Sequence, residues 1–108
     1  MIIHNAAAKA QFRPDKMDKS DLALSEHVFA GLNCFEPGQQ HQLHTHAGQD
    51  KLYFVLEGEG DVTVGSEKSR IQPGDLVLAR SGEEHSLSNP GPARLVVLVV
   101  MAPAPMKK

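Results

Sequence analysis

The chain has 108 residues, with 11 Lys and Arg against 13 Asp and Glu and a formal net charge of −2. That length fits one domain, and the charge balance excludes a nucleic-acid binder held mainly by phosphate contacts. A single cysteine, Cys34, excludes an intrachain disulfide framework and reads as a small buried hydrophobe.

In chain order, the opening Met1-Ile2-Ile3-His4-Asn5 lacks the basic region and longer apolar core of a signal peptide. Ala6-Ala7-Ala8 suggests a short helical turn, limited by Pro14 and the charged stretch that follows it. Residues 1–20 are therefore expected to form an N-terminal arm, suited to packing on a partner subunit. Residues 28–35 form a strand candidate, ended by the turn Glu36-Pro37-Gly38. Residues 39–45 suit a polar strand. The run 52–56 is rich in β formers and ends in Glu57-Gly58-Glu59-Gly60, which reads as a hairpin connection.

Val62 and Val64 alternate with polar neighbours, and Gly65-Ser66-Glu67-Lys68 turns the chain again. After Ile71 comes the tight turn Pro73-Gly74-Asp75, then a short strand over residues 76–79 and a loop over 81–84. A strand over 85–88 is stopped by Asn89-Pro90-Gly91-Pro92. Residues 95–101 are nearly continuously apolar, and Pro103 and Pro105 end the β region. No run nears the roughly 20 apolar residues of a membrane span, so a cytoplasmic protein without membrane contact is expected. Short strands between Gly/Pro turns predict an all-β sandwich or barrel over residues 21–102, with a tail over 103–108 that carries the basic tip Lys107-Lys108.

Six histidines accompany only four Phe and one Tyr, with no Trp. Four of them, His41, His44, His46 and His85, fall in two polar places of this strand-like sequence. On a strand, positions i and i+2 share a face, so His44 and His46 can converge on one point. Imidazole is a good ligand for Fe, Ni, Cu and Zn and a weaker one for Mn. His85, at a loop–strand junction, is a plausible third ligand. Without a metal, His44 and His46 would be ordinary solvated residues near a turn.

The spacing around these histidines resembles that of the cupin superfamily in its small single-domain form. Its first motif is matched by Gly38, His44-Thr45-His46 and Gly58, and its second by Gly74, Gly82, His85 and Asn89. The resemblance implies a double-stranded β-helix, or jelly-roll, barrel with a metal held by residues of both motifs. It assigns His44, His46 and His85 as ligands of a divalent transition metal such as Fe, Mn, Ni or Zn.

The chain departs from the pattern at Lys51, where many cupins have glutamate, and at Arg80, where the second motif has proline. A protonated amine has no lone pair to give a metal. Asp50 is then the candidate fourth ligand, provided a bulge turns it inward. Gln49 or water are alternatives, and His41 can reach the cavity mouth only from an irregular strand. A barrel in which Lys51 pairs with Asp50 or Glu57 and no metal binds is the competing reading.

Tyr53 and Val55 share parity with Lys51 and face the same side, while Phe35, Phe54, Leu56, Leu76, Leu78, Leu87, Val97 and Val99 read as core or subunit interface. The functions compatible with these residues are a small metalloenzyme of dioxygenase, lyase or isomerase type acting on a small organic substrate, or a non-catalytic small-molecule binding or sensing barrel. Arg80 or Lys51 would meet an anionic group in the second case. The resemblance also implies a homodimer, for which the arm and the apolar strand 95–101 are the expected contacts.

Overall fold

Nine strands form among the residues that the computed structural model describes, 1–45 and 47–105; His46 and residues 106–108, with the basic tip, lie outside the described residues. The strands are β1 Asp18–Leu24, β2 Phe29–Phe35, β3 Gln40–His44, β4 Asp50–Glu57, β5 Gly60–Val64, β6 Glu67–Ile71, β7 Leu76–Ala79, β8 His85–Ser88 and β9 Leu95–Ala102. A 3-10 turn at Ala6–Lys9 precedes them. They make two sheets, β1-β2-β9-β4-β7 and β3-β8-β5-β6, with every neighbouring pair antiparallel. The architecture is all-β, as the strand and turn pattern predicts, in the jelly-roll form that the resemblance implies.

The core lies between the two sheets. On β4, Lys51, Tyr53 and Val55 are buried while Asp50, Phe54 and Glu57 are exposed, the alternation a strand with one buried face requires. Tyr53, Val55, Val97 and Val99 from the first sheet pack with Val62, Val64 and Leu87 from the second. Burying a side chain such as Phe35 or Leu87 contributes roughly 2 kcal/mol relative to leaving it exposed.

The continuous apolar run of β9 has a second cause. Its alternate residue Val96 packs with Leu32 and Cys34 on the outer face of the sheet, and Ala10 and Phe12 of the N-terminal segment cover them. Arg94 holds this cover in place. Its guanidinium stacks 4.2 Å from the Phe12 ring centroid and donates to both carboxylate oxygens of Glu36, at 2.9 and 3.2 Å. Part of the segment expected to reach a partner thus packs on its own sheet. β9 is flanked on both sides, by β2 and β4, and has no free edge to offer a second chain.

Two strands, β1 and β6, arise where the sequence pattern predicts an arm and a turn. β1 begins at Asp18 and pairs with β2, and β6 pairs residue by residue with β5. Both are edge strands, and their charged residues are those that keep a free edge from pairing with another chain. The segment Glu57-Gly58-Glu59-Gly60 is not a hairpin: β4 and β5 lie in different sheets, and the chain crosses between them. Gly58 makes the crossing possible. Its φ is +79°, and a Cβ there would collide with the Arg94 carbonyl. Asn89 pins the crossing from β8 to β9, donating to the carbonyls of Phe35 and Ala93 at 3.0 and 2.9 Å and accepting from the Gly91 N–H at 2.8 Å. No helix among the described residues is long and apolar enough to cross a membrane.

Candidate metal and ligand site

His41, His44 and His85 meet on the inner face of the four-stranded sheet. In the β3–β8 pair, His41 lies opposite Leu87 and His44 opposite His85. Three steps along β3 thus match two along β8, which is a bulge. The bulge brings His41 and His44 opposite the two inward-facing residues of β8, Leu87 and His85, both buried. Strict alternation would have parted them. The ring centroids of His41 and His44 are 4.1 Å apart, and those of His44 and His85 are also 4.1 Å apart.

Two backbone carbonyls set the ring orientation. His44 Nδ1 lies 2.6 Å from the Gln42 carbonyl and His85 Nδ1 lies 2.9 Å from the Glu83 carbonyl. A carbonyl only accepts, so each Nδ1 carries the proton, and in the neutral ring Nε2 carries the lone pair. Both Nε2 atoms are buried. This is the tautomer and the outer support that a metal-binding imidazole uses. Burial lowers the His44 pKa, partly opposed by its bond to the Gln42 carbonyl. The His41 pKa falls to about 3, first through burial and then through the nearby charges of Lys19 and Lys51. Neutral imidazoles are what a metal ion needs.

The other expected residues are placed differently. Asp50 sits on the exposed face of β4, with Oδ1 accepting the Ser81 N–H at 2.9 Å. It has the parity opposite to Lys51, and no bulge turns it inward: β4 keeps register with β7 over residues 51–54 and with β9 over residues 50–55. Asp50 therefore faces away from the histidines, with its carboxylate on the Ser81 backbone. Gln49 donates to the Pro103 carbonyl at 3.1 Å. Arg80 is exposed and borders a different cleft, between β6 and β7, with Arg70 and Asp75. His46 lies outside the described residues. Among the described residues, no group of three His, Cys, Asp or Glu side chains is arranged to hold a metal ion.

Lys51 is buried at 5% exposure and faces inward, its Nζ 5.1 Å from the Tyr53 ring centroid. Neither Asp50 nor Glu57 pairs with it, and no ion pair among the described residues includes it. Burial, followed by the charge of Lys19, lowers its pKa to about 8. The Tyr53 ring also neighbours the histidines, its centroid 6.1 Å from that of His85.

Beside Lys51 a cavity of about 300 Å³ opens on the inner face of the five-stranded sheet, with Lys19, Asp21 and Asn33 in its wall. Sequence reasoning missed Lys19 and Asn33. Lys19 lies on a strand whose charge hid it. Asn33 had a signal, as the one polar residue within Leu32-Asn33-Cys34-Phe35.

Comparison with known proteins agrees with this architecture. A family profile described as "Cupin domain" matches residues 31–101. The oxalate-binding protein of Thermotoga maritima is 37% identical over 85 residues, which are 79% of this chain and 69% of that protein. The crystal structure of TT1209 from Thermus thermophilus superposes with a TM-score of 0.92 at 37% identity, covering 97% of this chain and 100% of the other. A Klebsiella pneumoniae protein with a double-stranded β-helix domain shares the fold, with a TM-score of 0.86 at 22% identity over 94% of this chain and 84% of that one. By its family match, its relatives and its two facing antiparallel sheets, the chain belongs to the cupin superfamily, as a small double-stranded β-helix barrel.

Proposed function

We propose that the barrel holds a divalent transition metal, Fe, Mn, Ni or Zn, through His44, His46 and His85, and acts on a small organic molecule admitted beside Lys51. The observation that supports this most is the facing pair His44 and His85, each fixed through Nδ1 to a carbonyl with Nε2 buried in the barrel. A metal bound there supplies Lewis acidity toward a carbonyl, carboxylate or alkoxide oxygen, the chemistry that dioxygenases, lyases and isomerases share. The Thermotoga relative, named for binding oxalate, supports a small-molecule ligand.

Elemental analysis tests the metal. Protein incubated with each of the four metals and desalted should retain near one equivalent, lost in the His44→Ala/His46→Ala variant and in His85→Ala. Protein that takes up none of the four metals overturns the proposal. A second reading, a non-catalytic binding barrel, is favoured by one observation, the buried cation Lys51 where cupins have a carboxylate. Product formation or oxygen consumption by the metal-loaded protein supports the enzyme; saturable binding without turnover supports the second reading.

We also assign a homodimer contact to the outer face of β4 and β7, where Phe54, Leu76 and Leu78 are 38%, 63% and 40% exposed and Phe54 pairs with Leu76. Light scattering at micromolar concentration should give twice the chain mass, and half of it for Leu76→Glu. A monomer mass for the unmodified chain excludes the dimer.

A further inference from the structure

The wall of the cavity beside Lys51 has two chemically distinct parts. One part carries donors. Lys51 supplies a buried ammonium without an ion-pair partner among the described residues. Asn33, at 5% exposure, has a side-chain amide nitrogen with no hydrogen-bond acceptor among the described residues. A buried donor left unbonded is costly, so such a pair is kept where something supplies the acceptor. The other part is apolar and consists of Phe29, Val99 and Met101. Strand register puts the parts together: Asn33 lies opposite Val97, Phe29 opposite Met101, and Met101 opposite Lys51 across the same inner face. Asp21 and Lys19 also line the cavity. They bring one charge of each sign, so the net formal charge of the wall equals the single positive charge of Lys51.

We propose that this cavity binds a small monocarboxylate with an apolar body, its carboxylate on Lys51 and Asn33 and its body against Phe29, Val99 and Met101. The proposal rests on the reading of the barrel interior as a small-molecule site, and it names the ligand class. One ammonium balances one negative charge. An oxalate dianion would bring a second charge against the apolar wall, which a wall of net charge +1 cannot balance. A phosphate, with nearly two charges and more acceptor oxygens, exceeds the donors present.

Calorimetric titration of the intact chain at pH 7 tests this, with phenylacetate, phenylacetamide, oxalate and inorganic phosphate as probes. Each is run on chelator-treated protein and on zinc-loaded protein. On the chelator-treated protein, phenylacetate should bind at least tenfold more tightly than its neutral amide, oxalate or phosphate. Lys51→Met and Lys51→Gln should each lose at least tenfold, while Lys68→Met, on the exposed β6, should lose nothing. Equal binding of amide and carboxylate, a preference for oxalate or phosphate, unchanged affinity in both Lys51 variants, or no binding of phenylacetate at millimolar concentration would each overturn it. Metal uptake is read separately by elemental analysis. Lysine-dependent phenylacetate binding without zinc uptake upholds this site while removing the metal centre; zinc uptake without phenylacetate binding does the reverse.

Discussion

Lys51→Met should make the protein more stable, and the gain should depend on pH in one direction only. The native pKa of Lys51 is about 8, against an ordinary value of 10.5. Below pH 8 the lysine is protonated in both states, and the native state bears the whole cost of a buried ammonium. Between pH 8 and 10.5 the native protein releases the proton while the unfolded chain still holds it. The unfolded state then binds more protons, so stability rises with pH. Above 10.5 both are neutral and the cost is gone. A depression of that size corresponds to about 3 kcal/mol at 1.36 kcal/mol per pH unit.

Methionine is unbranched and apolar and fits the same space without the charge. The variant is therefore expected to exceed the natural chain by about 3 kcal/mol at pH 7, with the gap closing by pH 10.5. Urea unfolding of both chains between pH 6 and 10.5, metal-free and in a buffer without carboxylates, measures it. Other groups that titrate in that range, Tyr53 and Cys34 among them, are common to both chains and cancel in the difference. A gap that does not change with pH, or a variant less stable than the natural chain at pH 7, would refute the reasoning. Added phenylacetate should then raise the stability of the natural chain and not of the variant, since a ligand stabilises only the state that binds it.

Three further outcomes follow from the same structure. His41, with its pKa depressed to about 3, favours folding fully above pH 6.5, and that contribution is lost as pH falls toward 3; the melting temperature of His41→Gln should fall less than that of the natural chain between pH 7 and 3.5. Gly58→Ala should lose about 3 kcal/mol in urea unfolding, from a left-handed φ and a collision with the Arg94 carbonyl. Tyr53→Phe should gain about 1 kcal/mol, because the buried Tyr53 hydroxyl has no hydrogen-bond partner among the described residues.

The strands rich in apolar and β-forming residues were legible in the sequence, because such runs and the turns between them are local. β4, β7, β8 and β9 lie within a residue or two of where the pattern predicts them. β1 and β6 were not legible. Four of the five residues of β6, Glu67-Lys68-Ser69-Arg70, are exposed, and only Ile71 reaches the core. Nothing in such a segment separates an edge strand from a loop until its neighbour is known. The Glu57–Gly60 segment misled for a related reason. Glycines at a hairpin and at a sheet-to-sheet crossing look alike, and the difference lies in which strands pair.

The candidate site was half legible: parity on β4 correctly put Lys51, Tyr53 and Val55 on one face, and the histidines were visible from composition. The convergence of His41 with His44 was not, because it depends on a bulge that removes one step of alternation.

The exchange of a carboxylate for Lys51 links the two proposed sites energetically. A dication on three neutral imidazoles has no acidic ligand to offset its charge, and Lys51 adds a positive charge to the same interior. Each cation therefore raises the cost of the other. A carboxylate held on Lys51 reduces both costs, so metal and carboxylate should each bind more tightly when the other is present. Linkage requires the two enhancements to be equal, and typical couplings put them at about tenfold. Zinc affinity measured with and without saturating phenylacetate should change by the same factor as phenylacetate affinity measured with and without saturating zinc. Lys51→Met should bind zinc more tightly than the natural chain in the absence of carboxylate and show no enhancement when it is added. If the natural chain binds zinc equally well with and without phenylacetate, the lysine and the histidines do not share one electrostatic site.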